Sequence, residues 1–392
     1  MTLSCKFIAL SMALIGYSFF SSAQQAKEVA RFPFETNNGT IILSVKLNDF
    51  PRPLRLLFDT GADGMAVSQS LADSIGLKVS RKQNASVVGG SMEISVSEGN
   101  TVHFPDFDFK NQSIAIFKEM HKDNDGIIGN ALARRYITRV DYDKKEVVLY
   151  SFGNYAYEKE GASVPITMPA GLFIIPGALS ITTEPAHKGE FVFDTGASYS
   201  LICFRPFVKQ NKLLVSGFKS EYSGSTTSMG MNTPTFSGNA AAFTFSNMPA
   251  IQSLPVTLMA GGGQSESWNP GFDGSIGVRL ISRYNFTINM QKKEIHFSPN
   301  KTYHYPYDFA IGGYLFGFNP GGDLEVISFT APENPAVSLK PGLKIETLNG
   351  LTAKTLLKDP KQFHKLMALP AGTAYTVTSV QNGRSMKDQL IK

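Results

Sequence analysis

The sequence predicts an all-β fold made of two related lobes followed by a small β-rich domain. The chain of 392 residues repeats a pair of motifs, and its short apolar runs are separated by turn-forming residues. Gly (35 residues) and Phe (29 residues) are both abundant. This composition favours short strands joined by tight turns over a helical bundle.

Two sequence motifs define the repeat. Residues 56–62 (LLFDTGA) are matched by residues 191–197 (FVFDTGA), and residues 125–129 (DGIIG) are matched by residues 273–277 (DGSIG). The interval between the motifs is longer in the second copy. The repeat therefore predicts two lobes with one plan, lobe 1 at residues 24–154 and lobe 2 at residues 155–302, with residues 155–163 as the link.

Secondary structure follows from the hydrophobic pattern. Strands are expected in both lobes and in the remaining 303–392 unit, at residues 40–46, 146–150, 241–245, 294–297, 324–329, 344–348 and 374–380. Short helices are expected at residues 68–76, 129–136, 277–284 and 353–367.

The N-terminus has the pattern of an export signal. Lys6 precedes the uncharged, mostly apolar residues 7–20, and small residues at 21–23 offer a cleavage site. The alternative is a membrane anchor, but the apolar run is short for a spanning helix. We therefore expect residues 1–23 to be a signal peptide, no transmembrane segment after cleavage, and a periplasmic or secreted protein.

Composition argues against several classes of partner and cofactor. The formal net charge of +5 is small for this length and no dense basic run occurs, so nucleic acid is not an expected partner. Removal of the signal takes Cys5 with it and leaves Cys203 in an apolar run, where a buried, inert thiol is favoured over a nucleophile. The six His residues have no ligand spacing. Neither a metal nor a cofactor is predicted.

The repeated Asp-Thr-Gly triplet points to catalysis. In each copy an apolar strand ends at an Asp, and the following Gly permits a tight turn. A single triplet would more often be an ordinary turn, but two copies in the same context favour a site. If a pseudo-twofold axis relates the turns, Asp59 and Asp194 meet and share one proton, because two adjacent carboxylates cannot both ionise.

The pattern resembles the aspartic proteases of the pepsin and retropepsin group, over roughly residues 31–298. The resemblance implies the bilobal acid-protease fold, an aspartic endopeptidase acting on polypeptides, and an active site that needs no homodimer. It makes Asp59 and Asp194 the catalytic pair, with the loops supported by Thr60, Gly61, Ala62, Thr195, Gly196 and Ala197. Ala62 and Ala197 resemble retroviral proteases and their bacterial relatives, since pepsin-like loops usually have Ser or Thr there.

Enzymes of this group close a β-hairpin flap over the substrate. The candidates in lobe 1 are Val88, Gly89 and Gly90, and those in lobe 2 are Tyr222 and Gly224. Ordinary hairpin turns are the alternative for both segments.

The 303–392 unit resembles a PDZ domain. Its candidate carboxylate-binding loop contains Leu315, Phe316, Gly317 and Phe318, which implies capture of a C-terminal peptide. A PDZ-like fold used only for packing is the alternative. For the whole chain, the competing function is a non-catalytic peptide-binding scaffold, although two intact Asp-Thr-Gly-Ala loops argue against it.

Overall fold

The structure is a computed structural model that describes residues 24–120, 123–183, 185–228, 231–261, 267–381 and 383–392. It is all-β, which confirms the predicted fold class. The predicted signal peptide lies outside the described residues. Within those residues, no helix combines the length and the apolar character needed to cross a membrane.

Lobe 1 is built around a sheet in which the strand leading to the first Asp-Thr-Gly triplet is enclosed on both sides. Its strands are β1 (Glu28–Pro33), β2 (Glu35–Asn37), β3 (Thr40–Leu47), β4 (Leu54–Phe58), β5 (Met65–Ser68), β6 (Arg81–Val87), β7 (Gly90–Phe104), β8 (Phe107–Phe117), β9 (Gly126–Ile128), β10 (Ile137–Asp141) and β11 (Glu146–Tyr150). The strand order of its main sheet is β2-β3-β4-β9-β5-β8-β7-β6. Strand β9 runs parallel to β4, so Ile128 lies opposite Phe58 and the second motif supports the strand that leads to Asp59.

Lobe 2 repeats this arrangement. Its strands are β12 (Ala162–Pro165), β13 (Ile174–Ser180), β14 (His187–Asp194), β15 (Leu201–Cys203), β16 (Ser220–Ser228), β17 (Met231–Phe245), β18 (Ile251–Met259), β19 (Gly274–Gly277), β20 (Tyr284–Asn289) and β21 (Glu294–Pro299). The order β13-β14-β19-β15-β18-β17-β16 places β19 between β14 and β15, as β9 lies between β4 and β5. Strand β14 ends at Asp194 in the same way that β4 leads to Asp59.

A third sheet joins the two lobes in the order β1-β11-β10-β20-β21-β12. The joint is the antiparallel pair β10–β20, where Val140 lies opposite Phe286. One hydrophobic core runs through both lobes and includes Phe58 and Phe193, each with no exposed area. Burial of one such ring contributes about 1.5–3 kcal/mol, so the strands that carry both Asp-Thr-Gly loops are fixed to a shared core.

The 303–392 unit has a sheet and a core of its own. Its strands are β22 (Phe309–Ile311), β23 (Tyr314–Phe318), β24 (Leu324–Phe329), β25 (Lys344–Leu348), β26 (Leu351–Thr352), β27 (Ala374–Gln381) and β28 (Arg384–Ile391), in the order β22-β23-β24-β25-β27-β28 with β26 beside β25. Phe316 and Tyr375 are fully buried in its separate core.

The helices are short, and three of the four predicted ones differ from the structure. They are α1 (Gln69–Ile75), α2 (Arg205–Gln210), α3 (Val278–Ile281), α4 (Ala353–Lys358) and α5 (Pro360–Met367), with a 3-10 turn at Pro169–Gly171. Helix α1 agrees with the prediction: the Ser68 hydroxyl accepts from the Leu71 amide, and Gly76 ends the helix in the left-handed region. The helix predicted at residues 277–284 covers only Val278–Ile281, and Tyr284 already begins β20.

The helix predicted at residues 129–136 is wrong, because the segment forms turns in which the amides of Arg135 and Tyr136 both donate to the Leu132 carbonyl. The helix predicted at residues 353–367 is interrupted at Asp359. Pro360 causes this interruption, because a proline disfavours helical backbone in the preceding residue and is itself well suited to begin the next helix, α5.

Candidate active site

The two Asp-Thr-Gly loops lie side by side on the floor of a large cleft. Asp59 and Asp194 are partly exposed to this cleft, whereas Thr60 and Thr195 have no exposed area. The buried apolar strands β4 and β14 lead to the two loops. The sequence pattern thus delivers two acids to the same surface of the shared core.

A reciprocal set of hydrogen bonds holds the loops together. The Thr60 hydroxyl donates to the Phe193 carbonyl (2.6 Å) and accepts from the Thr195 amide (3.0 Å). In return, the Thr195 hydroxyl donates to the Phe58 carbonyl (2.7 Å) and accepts from the Thr60 amide (3.0 Å). All of these groups are buried, so each bond satisfies a polar atom that would otherwise be costly to desolvate.

Each loop glycine faces the carboxyl of the other loop. A Cβ added to Gly61 would lie 2.5 Å from Cγ of Asp194, and one added to Gly196 would overlap Cγ of Asp59. No larger residue fits at either position while the opposite carboxyl stays in place. The geometry therefore brings Asp59 and Asp194 together across the pseudo-twofold axis.

The second motif of each lobe supports the loop from below at very close range. A Cβ on Gly129 would overlap the Ala62 carbonyl, and one on Gly277 would overlap the Tyr199 carbonyl. These close approaches explain why both motifs end in Gly. The apolar residues Ile127, Ile128 and Ile276 are buried beside the loops, and so is Ser275.

The surroundings of Asp59 and Asp194 affect the pKa values of the two carboxyls differently. Burial, the Asp194 charge and a hydrogen bond with Asp194 raise the pKa of Asp59 well above its usual value. Burial also raises the pKa of Asp194 above its usual value, and hydrogen bonds from Asp59, from the amides of Gly196 and Ala197 and from Ser275 partly offset this rise. The pair as a whole therefore retains a proton more readily than an isolated carboxyl does.

Two hairpins, one from each lobe, meet above the dyad. Val88 and Gly89 form the turn between β6 and β7, as predicted for the lobe 1 flap. A Cβ on Gly89 would be 3.4 Å from the Thr233 hydroxyl, and one on Gly90 would be 2.9 Å from the Met231 sulfur. Because Met231 and Thr233 lie at the start of β17, the two hairpins touch near their tips.

The lobe 2 flap candidates lie in the stem of a hairpin and not at a turn. Tyr222 and Gly224 lie within β16, paired with Ser237 and Thr235 of β17, and form the stem of the hairpin. The pairing of β16 with β17 continues to Ser228 and Met231, and residues 229–230 lie outside the described part of the chain. A polar, Gly-containing run in the stem resembles a turn in the sequence, because Gly is uncommon inside strands.

Apolar clusters flank the dyad on both sides of the cleft. The lobe 1 cluster contains Ala66, Ile94, Val96, Phe117 and Ile127. The lobe 2 cluster contains Ile202, Phe204 and Met259, with Tyr199, Trp268 and Phe272 packed against them. Val88 from the lobe 1 flap packs onto the lobe 2 cluster, so the flap crosses the cleft.

The predicted carboxylate-binding loop of the 303–392 unit is wrong in structure. Leu315, Phe316, Gly317 and Phe318 lie within strand β23, which pairs with β22 on one side and with β24 on the other. The Gly-Phe pair resembled a loop because Gly is uncommon inside strands. Gly317 occurs inside the strand for another reason, because Asp308 and Ile327 pack closely against it.

Asn130 was missed in the sequence and supports the first loop. It has no exposed area, and its side-chain amide donates to the carbonyls of Thr60 and Gly171, both at 2.9 Å. A polar residue directly after an Ile-Ile-Gly strand was the available signal, since buried amides are retained where they bond to backbone. Cys203 is buried as expected, and burial raises the pKa of its thiol.

Comparison with known proteins agrees with the loop geometry in lobe 1. Residues 43–132 match the family model described as aspartyl protease. Among solved structures, the chain is similar to the aspartic proteinase from Irpex lacteus, with 15% identity, a TM-score of 0.45, and coverage of 69% of this chain and 97% of that chain. No curated protein matches the sequence. The family match and the paired Asp-Thr-Gly loops together support an aspartyl protease.

Proposed function

We propose that the chain is an aspartic endopeptidase whose catalytic pair is Asp59 and Asp194. The observation that carries this proposal is the reciprocal packing of each loop glycine against the opposite carboxyl, which brings two acids into one proton-sharing site. Both acids come from one chain, so catalysis needs no second subunit.

The different surroundings of the acids suggest their roles. Asp194, held as the anion, accepts a proton from a water molecule between the two carboxyls. Asp59, held protonated, donates a hydrogen bond to the carbonyl oxygen of the scissile peptide bond. Attack of the water gives a tetrahedral intermediate, and proton transfer to the leaving nitrogen completes cleavage. Neither a metal nor a covalent intermediate takes part in this scheme.

The size and lining of the cleft favour a polypeptide substrate. Its volume of about 2520 Å³ exceeds the range of about 300–1,000 Å³ that is usual for small-molecule sites. The apolar clusters of both lobes lie on either side of the dyad. We expect substrates with apolar side chains on both sides of the scissile bond, and opening of the touching flaps before substrate enters.

Cleavage of an unstructured protein by residues 24–392, with fragments identified by mass spectrometry, tests the function. Asp59→Asn and Asp194→Asn should each reduce cleavage by about 10²–10⁴-fold or more, since loss of either acid removes one half of the proton transfer. The matched control is Asp106→Asn, an exposed Asp outside the cleft, which should retain activity. Binding of peptides by the wild-type chain without any cleavage would instead favour the scaffold function.

Export is part of the proposal and rests on Lys6, the apolar residues 7–20 and the small residues 21–23. N-terminal analysis of the protein from the cell envelope or medium should begin at or near Gln24. Recovery of an intact N-terminus in a membrane fraction would contradict cleavage and favour an anchor.

A further inference from the structure

The start of the 303–392 unit is fixed to lobe 2. The guanidinium of Arg279, in α3, donates to both carboxyl oxygens of Asp308, at 2.6 and 2.5 Å, and the side chains are only 14% and 12% exposed. Nearby, Arg283 donates to the carbonyls of Tyr305 and Pro306 and lies 3.9 Å from the Tyr307 ring centroid. A segment held by two largely buried arginines is not a free linker.

The same junction explains the glycine inside β23. A Cβ on Gly317 would lie 2.8 Å from the Arg279 guanidinium and 2.5 Å from Cδ1 of Ile327, and it would overlap the Asp308 carboxyl. The 303–392 unit thus packs its sheet directly against the ion pair that holds it to lobe 2. Its position next to the cleft is set by close contact.

This packing extends the catalytic cleft onto the 303–392 unit. The cavity that contains Asp59 and Asp194 is also lined by Leu315, Ile327 and Phe329. All three apolar side chains are only partly buried, but Phe329 packs against Tyr314 of the unit's own core, with ring centroids 5.6 Å apart. Leu315 and Ile327 are therefore the two that leave apolar surface to the cleft. Tyr222, in the stem of the lobe 2 hairpin, lines the same cavity, and the nearby Asp308 charge contributes to raising the pKa of its phenol, after the larger effect of burial.

We propose that Leu315 and Ile327 form an extended subsite for an apolar side chain of the substrate polypeptide, several residues from the scissile bond on one side. This inference rests on the proposed endopeptidase function. Its occupant is the same extended chain that crosses the dyad, because the subsite is continuous with that cleft. A free C-terminal carboxylate is not the expected ligand, since β23 is already paired with β22 and β24.

The test compares two fluorogenic peptides on the wild-type protein, residues 24–392. The short peptide has about six residues and the long one about fourteen, which spans roughly 46–50 Å when extended. Replacement of the outer apolar residues of the long peptide by Ser, one at a time, should lower kcat/KM about tenfold at one position on one flank. Amidation of its C-terminus should have no effect.

Variants of the protein locate the subsite. Leu315→Ser and Ile327→Ser should each lower the long-to-short ratio of kcat/KM about tenfold. The controls are Val380→Ser and Met386→Ser, which remove side chains that are 45% and 39% exposed on the β27–β28 hairpin and should leave the ratio unchanged. Thermal melting identifies any variant that is misfolded, and the peptide series on the wild-type protein does not depend on the variants.

The outcomes separate the two proposals. No cleavage of either peptide by the wild type overturns the protease function. Cleavage of both peptides, with a flat Ser series and unchanged ratios in Leu315→Ser and Ile327→Ser, overturns the extended subsite and leaves the protease function in place. If amidation of the peptide's C-terminus lowers kcat/KM, the apolar subsite is overturned in favour of a carboxylate-binding site.

Discussion

The two lobes have the same backbone plan at the dyad but give their carboxyls different partners. In both loops a glycine amide donates to the first carboxyl oxygen, from Gly61 to Asp59 (2.9 Å) and from Gly196 to Asp194 (3.0 Å). Only in lobe 2 does the next amide, from Ala197, also donate to the carboxyl (3.0 Å). The Ala62 amide donates to the Asp59 backbone carbonyl.

The supporting strands differ as well. Ala66 lies opposite Ile127 in lobe 1, whereas Ile202 lies opposite Ser275 in lobe 2. The large and small residues have exchanged places, and the exchange puts a hydroxyl beside Asp194 where lobe 1 has a hydrocarbon. A duplicated fold can therefore keep symmetric geometry while its two acids acquire different proton affinities.

Breaking the symmetric hydrogen bonds should have the largest effect. Thr60→Val and Thr195→Val each leave a buried carbonyl and a buried amide without a partner, at a cost of about 1–3 kcal/mol for each group. Chemical denaturation should show similar losses for both variants, with reduced kcat. Thr60→Ser and Thr195→Ser keep the hydroxyl and serve as controls. A large difference in stability between the two Val variants would contradict an equal contribution of the two Thr hydroxyls.

Removal of the protonated acid should stabilise the fold at neutral pH. Because the folded-state pKa of Asp59 is raised, the folded protein binds more protons than the unfolded chain between the two pKa values, and stability falls as pH rises through that window. The Asp59→Asn variant has no carboxyl at this position, so it does not lose stability in this way as the pH rises. Its Tm should exceed the wild-type value by more at about pH 7 than at about pH 4. The Asp106→Asn control should show no such pH-dependent difference, and an equal gain at both pH values would contradict the assignment.

The lobe 2 hydroxyl should control the acid limb of the activity profile. Ser275→Ala removes a hydrogen bond that favours the Asp194 anion, so the pKa of the pair's first titration should rise. The acid limb of kcat/KM should move to higher pH by up to about one unit. Ile127→Ala, at the matching position of lobe 1, should leave that limb in place. A shift with Ile127→Ala and none with Ser275→Ala would reverse the comparison.

A hydroxyl added beside Asp59 in lobe 1 should shift the alkaline limb of the pH–activity profile. Neither Ala62 nor Ala197 has a side-chain donor, and in pepsin-like loops a Ser or Thr there favours the charged carboxyl. Ala62→Ser should stabilise the Asp59 anion and move the alkaline limb to lower pH by less than about one unit. Adding Ala197→Ser should move the whole profile further toward acid. Profiles that do not change in either variant would contradict this account of the Ala residues.

The sequence was most informative where structure depends on neighbouring residues. Strands β11 and β24 have the predicted bounds, because alternating or continuous apolar runs end at turn residues there. Helix α1 could be predicted from the Ser68 cap and the terminal Gly76. The sequence did not show that Tyr222 and Gly224 lie in a hairpin stem, nor that the 353–367 helix breaks at Asp359, because each depends on where strand pairing or capping stops.

By itself, the sequence determined the two lobes, the all-β class and the acids that meet, since the repeated motif contains the strand, the acid and the turn within seven residues. The tertiary structure alone decided the surroundings of each acid, because Ser275, which favours the Asp194 anion, is far from Asp194 in the chain. It also decided that Gly317 packs against the Arg279–Asp308 ion pair. As a result, the strand predicted to be a peptide-binding loop lies beside the cleft. Proton affinity and domain docking depend on distances between remote residues, and no local pattern records those distances.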